Sequence, residues 1–137
     1  MTEFWLAAAI GAGSGAALLA LFARLSAKQL ADSGYLALLA MLSIYIGARL
    51  VSGGIPEVAL ETAGASIAIV IARLAMMRWL PAIGIASLLH GTYDALVGPH
   101  TGVADWYPPL CAGFDFVVGA GLLVVLTRKL RAGNASS

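Results

Sequence analysis

Three ionisable residues in the last third of the chain, His90, Asp94 and Asp115, are spaced to meet inside a helical bundle. His90 and Asp94 are four apart and share a helix face, as do Cys111 and Asp115 further on, and Tyr45/Arg49 and Glu57/Glu61 repeat the spacing. One imidazole with several carboxylates is the set that acid–base chemistry needs, because carboxyl groups in unlike environments divide into acid and base. His90, Asp94, Asp115 and Glu61 are the candidate catalytic residues. The same four would suit iron, manganese or zinc, although such sites usually bring two or more histidines. His100 stands beside Pro99 in a connection, so only one histidine is deep. Metal and cofactor identity stay open.

Tyr45, Arg49, Tyr93, Trp106, Tyr107 and Cys111 surround these residues and are the candidate substrate contacts. Each also has a plainer role. Arg49 can neutralise Glu57 or Glu61 across the turn at residues 52–56. Trp106 and Tyr107 suit the aromatic belt at a membrane–water interface, and Cys111 suits a small packing position.

Two strings hold most of this set: His90-Gly91-Thr92-Tyr93-Asp94 and Trp106-Tyr107-Pro108-Pro109-Leu110-Cys111-Ala112-Gly113-Phe114-Asp115. Together they resemble a group of small, uncharacterised polytopic membrane proteins that pair an HG-x-x-D segment with a WYP-x-x-C-x-x-x-D segment. The resemblance covers the last third of the chain. It implies that His90, Asp94, Cys111 and Asp115 form one site, and it implies no activity.

The elements that must position these side chains follow from composition. Of 137 residues, 61% are hydrophobic and 11% charged, well below the roughly 25% charged of a water-soluble domain. This is the balance of an integral membrane protein. Eight Lys+Arg against seven Asp+Glu leave a net charge of +1, with no basic face for phosphates, which excludes a nucleic-acid partner. Cys111 is the only cysteine, so no intramolecular disulfide can form. A spanning helix needs about twenty apolar residues, and backbone amides in lipid must be paired within a helix or a closed barrel. The apolar stretches lack the period-two alternation of barrel strands. Five of them, residues 4–23, 35–51, 56–79, 81–98 and 110–127, are separated by breaks at Ser33-Gly34, Gly53-Gly54, Pro81, Gly98-Pro99 and Pro108-Pro109. The expected fold is all-α, a single five-helix transmembrane domain over residues 1–137.

Basic residues stay on the cytoplasmic side of spanning segments. Arg24, Lys28, Arg73, Arg78, Arg128, Lys129 and Arg131 share one side on this threading, leaving Arg49 alone on the other. The N-terminus is therefore expected outside and the C-terminus in the cytoplasm, in a bacterial-type plasma membrane. The tail Met1-Thr2-Glu3 also lacks the positive n-region of a cleaved signal peptide. Counted at about 1.5 Å per residue, His90 and Asp115 fall within about 3 Å of the same depth, in the outer half. Sixteen glycines, with still more alanines, suit helices that pack backbone to backbone. The glycine-rich run at residues 11–15 lies inside a helix and lacks the preceding strand of a dinucleotide site.

Ionisable groups at membrane depth cost several kcal/mol unless paired or solvated, which marks them as functional. The first reading is an intramembrane enzyme of isomerase, cyclase or hydrolase type, acting on a lipid or isoprenoid-like apolar substrate from the outer leaflet. The second is a proton- or cation-coupled small transporter with Glu61, His90, Asp94 and Asp115 as relay; against it, these groups cluster in one half of the bilayer. The third, a structural subunit of a membrane complex, leaves the trio idle. Membrane lipids are the expected partners, and homo-oligomerisation is left open.

Overall fold

The computed structural model describes residues 2–134, so Met1 of the N-terminal tail and residues 135–137 lie outside it. The chain forms α1 (Thr2–Phe22), α2 (Ala27–Ser52), α3 (Ile55–Arg78), α4 (Ala82–Leu96) and α5 (Tyr107–Asn134), with a 3-10 turn at Gly98–His100 before α5. No strand occurs among the described residues. Four helices, α1, α2, α3 and α5, are long and apolar enough to cross a membrane. With 15 residues, α4 is shorter, about 22 Å at about 1.5 Å per residue.

The five expected segments are present, and two boundaries are corrected. Helix α2 begins at Ala27 and not at residue 35, because Ser26 caps it. The Ser26 hydroxyl accepts from the Gln29 N–H at 3.3 Å while the Gln29 side-chain oxygen accepts from the Ser26 N–H at 3.1 Å, a reciprocal arrangement contributing about 0.5–2 kcal/mol. Ser33-Gly34 is therefore no break. Gly34 is buried within the helix, where a β-carbon would stand 2.7 Å from Leu122 Cδ1. Helix α5 begins at Tyr107, so Pro108 and Pro109 do not interrupt it. They occupy its first turn, where the N–H that proline lacks has no intrahelical partner to lose.

Helices α1 and α5 run parallel, α4 and α5 antiparallel, and small residues bring all three backbones together. A β-carbon at Gly11 would run into the Leu110 carbonyl and one at Gly113 into the Ala8 carbonyl; at Gly84 it would stand 2.6 Å from the Gly119 oxygen. Close backbone approach of this kind supplies dispersion where lipid supplies no hydrophobic drive. The apolar core, built on Leu30, Leu38, Ile83, Val118, Leu122 and Leu126, fills the end of the bundle that holds the α1–α2 and α3–α4 connections. At that end Asp32 pairs with Lys28 at 2.6 Å and with Arg73 at 3.5 Å, tying α2 to α3. Helix α3 is joined to α2 also by the Tyr35 hydroxyl, which donates to the Ile69 carbonyl at 3.4 Å; Ala65, Ala72 and Met76 are its buried residues and Leu74 and Met77 are exposed. Against α4 it leaves a gap.

Candidate active site

Toward the opposite end the interior becomes polar. His90 and Asp94 lie one turn apart on α4, Asp115 reaches in from α5 and Tyr45 from α2, all buried. His90 Nδ1 is 2.6 Å from Asp115 Oδ2 and 3.4 Å from Asp94 Oδ2, and the Tyr45 hydroxyl donates to Asp94 Oδ1 at 2.6 Å. A nitrogen facing two carboxylates carries the N–H, which puts the lone pair of the neutral ring on Nε2. Bonds this short to carboxylates are charge-assisted and stronger than neutral ones. Among the described residues, His90 Nε2, Asp94 Oδ2 and Asp115 Oδ1 are buried with no hydrogen-bond partner, Asp94 Oδ2 having only the 3.4 Å approach of Nδ1. A buried polar atom left unmet costs about 1–3 kcal/mol, and three in one cluster leave bonding capacity for a further group.

A second set lies beside the first. The Tyr93 hydroxyl reaches both Glu61 oxygens, at 2.7 and 2.9 Å. Arg49 Nε is ion-paired with Glu61 Oε2 at 3.8 Å, too far for a hydrogen bond, and among the described residues it has no hydrogen-bond partner. Of the two acids expected near Arg49, Glu61 is therefore the neighbour. Glu57 caps its own helix instead, accepting from the Gly54 N–H at 3.0 Å. Aromatic rings join the two sets: Tyr93 stacks on His90 at 6.0 Å, and Tyr45 meets both rings edge-on.

Arg49, Glu61, His90 and Tyr93 line one end of a cavity of about 730 Å³ between α2, α3 and α4. Its remaining wall is apolar, with Leu38, Leu42, Ala68, Ala72, Ala86 and Leu89 among the residues that face it. This volume falls within the roughly 300–1,000 Å³ of small-molecule sites. The small residues that shape it escaped the sequence reading, although Gly64, Ala68, Ala72 and Ala75 recur at helical spacing along one face of α3.

The other expected contacts divide. Tyr107 is half-buried with its ring 6.1 Å from Tyr45, and Cys111, a buried free thiol, lies one turn further along α5. Both stand behind the histidine cluster and not on the cavity wall. Trp106 is 57% exposed and rests on Tyr107 at 5.8 Å, outside the site. His100 is exposed, as a loop position suggests. The ligand set imagined for a metal is reduced, because His90, Asp94 and Asp115 cluster while Glu61 stands apart on Tyr93. Two ligand atoms on one zinc, each about 2.0–2.1 Å from it in a tetrahedron, lie about 3.3 Å apart. As placed, Nδ1 and Asp115 Oδ2 are 2.6 Å apart, a hydrogen-bond distance, while one ligand atom from each of the three residues lies within 4.8 Å of the others, a grouping that could hold one ion.

Comparison with protein-family models, with curated proteins and with solved structures finds no match to this chain. Its functional reading rests on its own geometry.

Proposed function

We propose that this protein is an intramembrane enzyme that performs acid–base chemistry on a lipid or isoprenoid-like substrate. In this reading all five helices cross a bacterial-type plasma membrane, the N-terminus lies outside, the C-terminus is cytoplasmic, and the site sits in the outer half. One observation carries the proposal: His90 is held through Nδ1 by Asp115 while its Nε2 has no partner and its ring lines a large apolar cavity. That is the arrangement of an oriented general base. A substrate or water brought against the buried Nε2 gives it a proton, the imidazolium is stabilised by Asp115 and Asp94, and return of the proton to the substrate or leaving group closes the cycle. The Tyr93 hydroxyl, on the same wall, gives its one proton to Glu61, so its oxygen is the candidate acceptor for a substrate hydroxyl. Isomerisation, cyclisation and hydrolysis all fit this machinery.

The transporter reading is less well supported, because the cavity wall away from these four residues is apolar, with no stepping stones for an ion. To test the proposal, the protein and its Asp115→Asn variant would be reconstituted in vesicles of total membrane lipid and the lipids followed by mass spectrometry. A lipid consumed by the native protein alone is the expected result. Identical lipid profiles for the two proteins would overturn the reading.

A further inference from the structure

Building on that proposed activity, we infer the substrate class: an amphiphile with one long apolar chain and an anionic head, carboxylate or phosphate. Its tail lies in the slot between α3 and α4, and its head sits at Arg49.

The slot's polarity is one-sided. Arg49, Glu61, His90 and Tyr93 gather at one end, and from there the wall is apolar down to Ala75 and Ala82. Glu61 to Ala75 spans about 21 Å along α3 at about 1.5 Å per residue. A molecule matching this outline is long and polar at one end only.

The slot is also held open. Small residues normally let membrane helices close on each other, yet Gly64, Ala68 and Ala75 on α3 and Ala82 and Ala86 on α4 line a void. Each helix is fastened elsewhere. Helix α3 is tied to α2 by the Arg73–Asp32 pair at 3.5 Å and by the Tyr35 hydroxyl donating to the Ile69 carbonyl at 3.4 Å, and α4 to α5 where Gly84 meets Gly119. Closing the slot would pull apart one of these interfaces, so the missing side-chain volume is left for a ligand. About 730 Å³ suits one small ligand.

Charge selects the head. Glu61 is hydrogen-bonded by Tyr93 and stands 3.8 Å from Arg49 Nε, which is buried without a hydrogen-bond partner. Arg49 is the only Arg or Lys among the residues lining the slot, and its Nε–H is left to meet an oxygen of a carboxylate or phosphate drawn to that charge. His90, whose buried Nε2 is also unpartnered among the described residues, lines the same slot.

The test uses the full chain in nanodiscs with three photo-crosslinking probes: a long-chain fatty acid carrying a diazirine near its terminal methyl, the matching alkyl phosphate, and the matching neutral alcohol. At least one anion should label residues 68–75 of α3 or the facing part of α4, and which one does so identifies the head. Ala68→Trp, or Ala86→Phe from the opposite wall should the first fail to fold, should cut that labelling about tenfold with melting temperature unchanged. Arg49→Gln should weaken the anion about tenfold and leave the alcohol alone. Labelling that ignores both filling variants, an alcohol that labels as strongly as the anions, or a second copy of the chain crosslinked in the slot would each overturn the inference. Asp115→Asn separates the two readings. If it labels normally and also retains turnover, the catalytic reading fails alone; if the native protein consumes a lipid yet neither anion labels, this inference fails alone.

Discussion

Gly91 lies directly against Asp115: a β-carbon at Gly91 would stand 3.0 Å from that of Asp115 and 3.4 Å from the Phe116 ring. The residue beside His90 thus has no side chain at the point where α4 and α5 come together. Their approach is what lets His90 Nδ1 reach Asp115 Oδ2 at 2.6 Å. Close packing and acid–base geometry are one feature here.

Gly91→Val should therefore damage both. Overpacking a tight interface costs about 1–3 kcal/mol, and the displaced carboxylate would release the imidazole. We expect a lowered melting temperature in detergent together with loss of lipid turnover in vesicles. A Gly91→Val protein that melts and reacts like the native one would show that the approach is not needed.

Asp115→Asn keeps the volume of the side chain and an acceptor oxygen for His90 Nδ1, but cannot stabilise an imidazolium by charge. General acid–base contributions run to about 10²–10⁴-fold, so turnover should fall at least about a hundredfold while the melting temperature moves little. His90→Ala should cost activity and stability together, because it strands Asp115 and Asp94 with one fewer donor in a buried site. Full turnover by Asp115→Asn would shift the weight toward a structural role.

Much of this arrangement was legible because a membrane restricts where ionisable residues can stand. The spacing of His90, Asp94 and Asp115, combined with antiparallel neighbours and a fixed rise per residue, put the three at one depth, where the structure joins them. Tyr45 was legible as a helix-face partner of Arg49, but not as the donor to Asp94, since rotation about α2 leaves no mark in the spacing. The cavity was less visible still. Alanine and glycine read as signals for close packing, correctly so at Gly11, Gly84 and Gly113, and the same residues on α3 line a void because their helix is anchored to a different neighbour. Trp106 stands just before α5 and is exposed, a placement that suits the aromatic belt its composition also suggested.

Tyr45→Phe removes the hydrogen bond that the Tyr45 hydroxyl donates to Asp94 Oδ1 at 2.6 Å. A buried acceptor left unmet costs about 1–3 kcal/mol, so the variant should fold with reduced thermal stability. Pairing it with Asp94→Asn should give a combined loss smaller than the sum of the single losses, since the two groups share one interaction. Strict additivity in melting experiments would show that the 2.6 Å contact contributes nothing.

The membrane orientation can be tested apart from any chemistry. The connections that hold Arg24, Arg78 and the end of α5 with Arg128 lie at the core-filled end of the bundle, and Asp105, in the α4–α5 connection, lies at the other. If positive charge decides which end stays in the cytoplasm, the two ends must differ in their access to an impermeant thiol reagent. Cys111 would first be replaced by Ala, a small substitution for a buried free thiol, to give a cysteine-free background. Single cysteines at Asp105 and at Arg128 would then be probed in intact cells. Asp105→Cys should label from outside and Arg128→Cys only after the cells are opened. The reverse pattern would turn the molecule over and move the site to the inner leaflet, and labelling of both from outside would mean that α5 does not cross.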